Sequence, residues 1–187
     1  MNSVLKTKDL VISALLIAIG ILIPMIFTMF PFRIIVGPYS ATLMAHVPVI
    51  IAMFISPAAA VFTAVGTTVG FFFTADTVVA VRAASHIVFA VIGVYMIRNR
   101  CSLSLTCVST GVVHGALEGL VVLAFFAFGS ANASRYSNLA MMWITIVGTF
   151  VHHIVDFIIA VVVSKALIRA KMLPELPPVF KIIKNGK

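Results

Sequence analysis

Long apolar runs separated by short polar stretches are the main pattern along this chain. A helix that crosses a lipid bilayer needs about 20 mostly apolar residues, so the pattern predicts an all-α integral membrane protein with six transmembrane helices. The second run is short, and we expect it to be tilted or shielded by its neighbours. The predicted helices cover residues 10–30, 41–55, 58–74, 78–97, 103–128 and 139–167.

The composition agrees with a membrane protein. Of 187 residues, 62% are hydrophobic and 10% are charged, whereas a soluble domain is near half apolar and a quarter charged. Six spans take up almost the whole chain, so we expect a single membrane domain over residues 1–187. Such a chain has no room for a separate catalytic or regulatory domain. Residues 168–187 are predicted to form a basic cytoplasmic tail.

The positive charges predict the orientation of the chain. There are 13 Lys and Arg residues against 5 Asp and Glu, and most of the basic residues fall on one face of the six-span arrangement. The positive-inside rule then places both termini in the cytoplasm and the protein in the cell membrane as a multi-pass chain. The basic residues do not cluster on one wet face, so we expect no nucleic-acid partner.

A buried charge marks the fourth predicted helix. Charged side chains inside a membrane are costly and are candidates for function. Arg82 and His86 are four residues apart and share a helix face, and a guanidinium can bind a carboxylate through two hydrogen bonds. The alternatives are that Arg82 snorkels to the membrane interface or pairs with Asp76.

The same spacing recurs in the fifth and sixth predicted helices. His114 precedes Glu118 by four residues, and His152 precedes Asp156 by four. The simplest interpretation is a buried polar network between two neighbouring helices. A metal site or a proton relay is the alternative, although no HExxH or CxxC arrangement supports a metal. His153 is expected to face another side of its helix than His152.

Aromatic and amide side chains near the outer loops complete the list of candidates. Tyr39 follows Gly37-Pro38, while Tyr136 and Asn138 precede the sixth helix and Trp143 lies one turn inside it. Such residues suit the wall of a pocket for a small organic ligand. For Trp143, a place at the membrane interface is the alternative.

Several short segments resemble the S-component of an energy-coupling factor (ECF) transporter, the substrate-binding subunit of a class of bacterial vitamin importers. The resemblance extends over essentially the whole chain, and its segments match the pantothenate and niacin branches. These segments are Ala14-Leu-Leu-Ile-Ala18, Gly37-Pro-Tyr-Ser-Ala-Thr-Leu, His46-Val-Pro, Met53-Phe-Ile-Ser-Pro57 and Arg82-Ala-Ala-Ser-His86.

The resemblance implies partners and a mechanism. The chain would capture a small carboxylated vitamin, pantothenate or niacin, from outside. It would then deliver the vitamin with a transmembrane coupling subunit and two ATPase subunits. ATP hydrolysis belongs to those partners, since this chain has no GxxxxGK[ST] phosphate-binding loop, and the chain itself is not expected to be an enzyme. Ala14 and Ala18 would dock on the coupling subunit.

Together with the resemblance, the candidate residues predict a vitamin site. Arg82 would anchor the vitamin carboxylate, with His86 and Asn138 as hydrogen-bond partners. The remaining candidates for the vitamin site are Tyr39, Glu118, Tyr136 and Trp143. No catalytic residue, cofactor or metal is expected. Cobalt and nickel relatives begin with a Met-His pair, whereas this chain begins Met1-Asn2.

Two other functions remain open at the level of sequence. One is a membrane enzyme or metalloprotein that uses His114, Glu118, His152 and Asp156. The other is a carrier that moves its substrate without partner subunits.

Overall fold

The computed structural model describes residues 7–27, 31–37, 39–128 and 139–173. They form an all-α bundle with one small hairpin, which confirms the predicted fold class. Within the described residues, five helical stretches are long and apolar enough to cross a membrane, and the helices α4 and α5 together make one of them, with a break at Ala84. The elements are α1 Thr7–Ile26, β1 Arg33–Val36, β2 Tyr39–Thr42, α2 Val47–Met53, α3 Pro57–Thr74, α4 Thr77–Ala83, α5 Ser85–Arg98, α6 Leu103–Ala127 and α7 Leu139–Arg169.

The second predicted span differs most from the structure. In place of a helix over 41–55 there is an antiparallel hairpin, in which Arg33 lies opposite Thr42, followed by the seven-residue helix α2. Every residue from 45 to 54 is buried. This segment is apolar because protein surrounds it, so its hydrophobicity carries no information about a lipid-facing helix.

The segment between α1 and α3 nevertheless returns along the bundle. A Cβ added at Gly66 would lie 2.9 Å from Ile17 Cγ2, and one added at Gly70 would lie 2.6 Å from the Ile21 carbonyl oxygen. Since higher numbers on α1 meet higher numbers on α3, the two helices run parallel. The hairpin and α2 therefore supply the return passage that two parallel helices require.

The two described ends of the chain lie together. The Lys8 ammonium donates a hydrogen bond to the carbonyl oxygen of Lys171, so the start of α1 and the end of α7 occupy the same end of the bundle. This agrees with an even number of passages. The cytoplasmic assignment of that end stays a prediction, and most of the predicted tail, residues 174–187, lies outside the described residues.

The bundle is apolar outside and partly polar inside. Large apolar side chains such as Phe62, Phe72 and Val162 are more than 60% exposed, as expected for surfaces that face lipid. Several threonines are buried instead, and the hydroxyls of four of them donate to the backbone carbonyl four residues earlier. Hydrogen bonds of this kind are made by Thr67, Thr106, Thr110 and Thr145.

Close packing of α6 against α7 brings polar side chains of both helices together. A Cβ added at Gly115 would lie 2.7 Å from the Ile146 carbonyl oxygen, and one at Gly111 would lie 3.1 Å from the His153 ring. Glycine therefore lets the antiparallel backbones approach closely. The approach sets His114 and Glu118 of α6 beside the polar residues of α7.

Candidate functional site

All five histidines of the chain meet inside the bundle. His46 precedes α2 and lies at the centre, and the others come from α5, α6 and α7. Its ring centroid is 4.7 Å from that of His86, 4.6 Å from that of His114 and 4.7 Å from that of His152. The His153 ring centroid is 6.0 Å from His46. We refer to these five side chains as the histidine cluster.

Asp156 fixes the segment that carries His46. Its two carboxylate oxygens accept hydrogen bonds of 3.0 Å from the backbone N–H groups of Met44 and His46. Met44 has a φ of 66°, a left-handed conformation that turns the backbone towards this carboxylate. His46 Nδ1 lies 3.0 Å and His152 Nε2 3.2 Å from Asp156 Oδ2. One buried carboxylate thus joins α7 to the non-helical passage before α2.

Arg82 and Glu118 form a buried ion pair beside the cluster. The guanidinium donates to Glu118 Oε2 from Nε at 3.1 Å and from Nη2 at 2.5 Å. The hydroxyl of Thr149 donates to the same oxygen at 2.5 Å, and Arg82 Nη2 lies 3.4 Å from the carbonyl oxygen of Ser40. His114 Nε2 is 3.3 Å from Glu118 Oε1. The pair therefore connects α4, α6, α7 and the hairpin.

A small cavity opens between these groups. It encloses about 20 Å³, which is room for one water molecule. The cavity lies where the hairpin, α4, α5, α6 and α7 meet. Its polar lining comes from Ser40, Thr42, His46, Arg82, His86, Glu118, Thr149 and His152.

Tyr39 fastens the hairpin over α7 next to this cavity. Its hydroxyl donates to the carbonyl oxygen of Gly148 at 3.1 Å, and a Cβ added at Gly148 would lie 2.7 Å from the tyrosine ring. This hydrogen bond holds β2 against α7.

The structure brings together only part of the predicted site. Arg82, His86 and Glu118 line the cavity, and Tyr39 lies beside it. Trp143 does not line the cavity, because its side chain is 59% exposed on the outer face of α7. This position agrees with the alternative of a membrane-interface residue. Two further candidates, Tyr136 and Asn138, lie outside the described residues.

The roles of the candidate residues in ligand binding stay predictions. Arg82 is buried, with 2% of its surface exposed, so it does not snorkel. Ala14 and Ala18, the predicted docking residues, are exposed on α1. Exposure is what a docking surface needs, although it does not by itself identify a partner.

His46, at the centre of the cluster, is not among the site residues predicted from the sequence. His46 lies in a non-helical stretch, so no helical spacing links it to another polar residue. The signal in the sequence was one histidine at the start of a long apolar run. In the structure, residues 45–54 of this run are all buried. His153 and His152 lie on different sides of α7, and His153 Nδ1 lies 3.3 Å from His114 Nδ1. Both histidines reach the cluster because α7 is enclosed by α6 on one side and the hairpin segment on the other.

Two sets of side chains have the composition of a metal site. One consists of His46, His86 and His114, and the other of His46, His152 and Asp156. In each set the possible ligand atoms lie within 4.8 Å of one another.

The fold and this site define a multi-pass membrane protein with a polar cavity enclosed in its helix bundle. The chain is 36% identical over 173 residues to the niacin transporter NiaX of Lactococcus lactis subsp. cremoris (strain MG1363), a match that covers 88% of this chain and 77% of NiaX. The chain therefore belongs to the NiaX family, which confirms the niacin-like branch of the resemblance stated above. No family model matches the sequence, and no solved structure matches it.

Proposed function

We propose that this chain is the substrate-binding S-component of an ECF importer and that its vitamin is niacin. The family relationship supports a vitamin carrier, and the niacin transport function of NiaX favours niacin over pantothenate. The observation that carries the proposal is the buried guanidinium of Arg82 at the wall of a polar cavity. A buried arginine is the side chain best suited to hold a carboxylate.

The surroundings of Arg82 suit a flat acid with a ring nitrogen. Glu118 and Thr149 hold the guanidinium in place, and a guanidinium has five donors, enough for Glu118 and a ligand carboxylate together. The imidazoles of His46 and His86 offer donors or acceptors for a pyridine nitrogen. Phe71, which also lines the cavity, offers an aromatic face.

Ligand binding requires the cavity to widen. Its volume of about 20 Å³ holds a water molecule and no vitamin. The hairpin is the wall nearest the outside of the bundle, because Ile34, Ile35 and Val36 on β1 are about half exposed. We propose that niacin enters on the hairpin side and meets Arg82 there.

Calorimetry on the purified chain tests the substrate. Niacin is expected to bind with one site per chain, and pantothenate, thiamin and riboflavin are expected to bind far more weakly. Tighter binding of pantothenate than of niacin would overturn the choice of vitamin. Absence of binding to all four would overturn the proposed role.

The double variant Arg82→Met with Glu118→Gln tests the anchor. Loss of a buried charged hydrogen-bond partner costs about 2–5 kcal/mol, so we expect niacin affinity to fall at least about 30-fold. Removing both charges avoids leaving Glu118 buried and uncompensated. Arg98→Gln, at an exposed position on α5, is the control and should bind like the parent. Unchanged affinity in the double variant would show that Arg82 is not the anchor.

The proposed partners are a transmembrane coupling subunit and two ATPases. In liposomes, uptake of labelled niacin should require these subunits together with ATP. Uptake by this chain alone would favour the self-sufficient carrier.

A further inference from the structure

We propose that His46, His86 and His114 form a binding site for one divalent transition-metal ion of the zinc class. The site shares His46 and His86 with the proposed niacin site, but its test measures bound metal and is independent of niacin binding. One ring nitrogen from each residue lies within 4.8 Å of the other two. The three ring centroids are 4.6, 4.7 and 5.1 Å apart, and the ring planes cross at 82–83°. Three imidazoles from three separate parts of the chain thus surround one point.

The three rings are not held together by hydrogen bonds. Among the described residues, no hydrogen bond joins any two of them, and the buried His86 Nδ1 has no hydrogen-bond partner. A buried polar atom without a hydrogen-bond partner destabilises the folded protein. A metal ion bound between the three rings would be a shared partner for these nitrogens.

The surrounding carboxylates fit a bound cation. Asp156 Oδ2 lies 3.0 Å from His46 Nδ1, and a carboxylate on the second nitrogen commonly orients a metal-binding histidine. Glu118 Oε1 lies 3.3 Å from His114 Nε2. Two buried carboxylates beside a single arginine leave excess negative charge next to the three rings, and a divalent cation would offset it.

The distances are close to those that a metal requires. Zinc binds imidazole nitrogen at about 2.0–2.1 Å, so the nitrogens of a tetrahedral site are about 3.4 Å apart. Ring movements on the order of 1 Å therefore complete the site. Nitrogen ligands favour zinc, nickel, copper or cobalt over magnesium and calcium.

The second set, His46, His152 and Asp156, is less suited to an ion. The Asp156 carboxylate already accepts hydrogen bonds from two backbone N–H groups and lies within 3.2 Å of both imidazoles. Its oxygens are used to hold the backbone, whereas the first set includes His86, whose Nδ1 has no hydrogen-bond partner among the described residues. This difference is why we assign the ion to the first set.

Metal analysis of the untagged protein tests the proposal. Protein purified without chelator is incubated with Zn²⁺ or Co²⁺, freed of excess ion and analysed for metal content. We expect one ion per chain, and visible absorption bands of tetrahedral Co²⁺ with nitrogen ligands. A metal content near zero in the folded parent protein would overturn the proposal without any variant.

Two matched glutamine variants locate the ion. Changes outside the ligand set commonly cost 10–100-fold in affinity, so His86→Gln is expected to lower Zn²⁺ affinity at least about 100-fold. His152→Gln, which belongs only to the second set, should retain the ion. Retention by His86→Gln, or loss by a folded His152→Gln, would overturn the assignment to the three imidazoles. Thermal unfolding of the metal-free proteins identifies variants that fail to fold.

Discussion

Asp156 shows how much of this site depends on one side chain. Its carboxylate is fully buried and holds the backbone of Met44 and His46 as well as two imidazoles. A polar backbone stretch inside a membrane protein is tolerated only where protein groups satisfy it. Asp156 accepts the backbone hydrogen bonds of this stretch and so positions His46.

Asp156→Asn is expected to destabilise the protein. The amide nitrogen of asparagine cannot accept, so one of the two charge-assisted backbone hydrogen bonds is lost, at a cost of about 1.5–3 kcal/mol. Thermal unfolding in detergent measures the change. Asp9→Asn is the control, since Asp9 only faces the first turn of α1 and its loss costs below about 1 kcal/mol. Equal stability of the two variants would contradict the role given to Asp156.

The sequence revealed the charged residues and left their partners undetermined. Arg82, Glu118 and Asp156 stand out because each interrupts an apolar run. Spacing along one helix, however, connects only residues of that helix. The pairing of Arg82 with Glu118 joins α4 to α6, and the position of His46 depends on Asp156 from α7. Such contacts follow from packing between elements, which periodicity does not contain.

The contact between α6 and α7 depends on glycines whose replacement should have unequal effects on stability. A Cβ at Gly115 would meet the backbone oxygen of Ile146 at 2.7 Å, whereas one at Gly111 would meet side chains of His153 and Phe150 at 3.1 Å. Backbone moves less readily than side chains. Comparing the loss of stability on substitution at the two positions therefore tests how rigid this interface is.

Gly115→Ala should lower the free energy of unfolding by about 1–3 kcal/mol, because overpacking against backbone forces the helices apart. Gly111→Ala, on the same helix, should cost less. Alanine also has a higher helix propensity, by up to about 1 kcal/mol, which offsets part of that cost. Unfolding in detergent compares the two. A larger loss for Gly111→Ala would contradict the packing described here.

Most of the helices were predictable from a simple rule: a helix that crosses lipid needs about 20 mostly apolar residues. The predicted spans 58–74 and 103–128 end within one residue of α3 and α6. The rule fails for 41–55, where the end of β2, a turn and the seven-residue helix α2 are buried or partly buried within the protein. An apolar run indicates that a segment is shielded from water. It does not indicate whether lipid or protein surrounds that segment.

The exposed surface of α1 is the proposed contact with the coupling subunit. Ala18→Trp places a large side chain on this small-residue surface and should prevent close approach. We expect niacin binding to be unchanged and ATP-dependent uptake in liposomes to fall at least about tenfold. Ala116→Trp, at an exposed alanine on α6, is the matched control and should transport normally. Equal uptake by both variants would place the docking surface elsewhere.

The buried return passage has a consequence for the response to the bilayer itself. Membrane thickness acts on a protein through helices whose sides contact acyl chains, which tilt or shift to match it. Residues 45–54, which begin beside the central histidine, are all buried and have no such contact. Niacin affinity should therefore change little between short-chain and long-chain lipids, while the unfolding temperature changes clearly. Parallel changes in both would show that the site follows the lipid-facing helices.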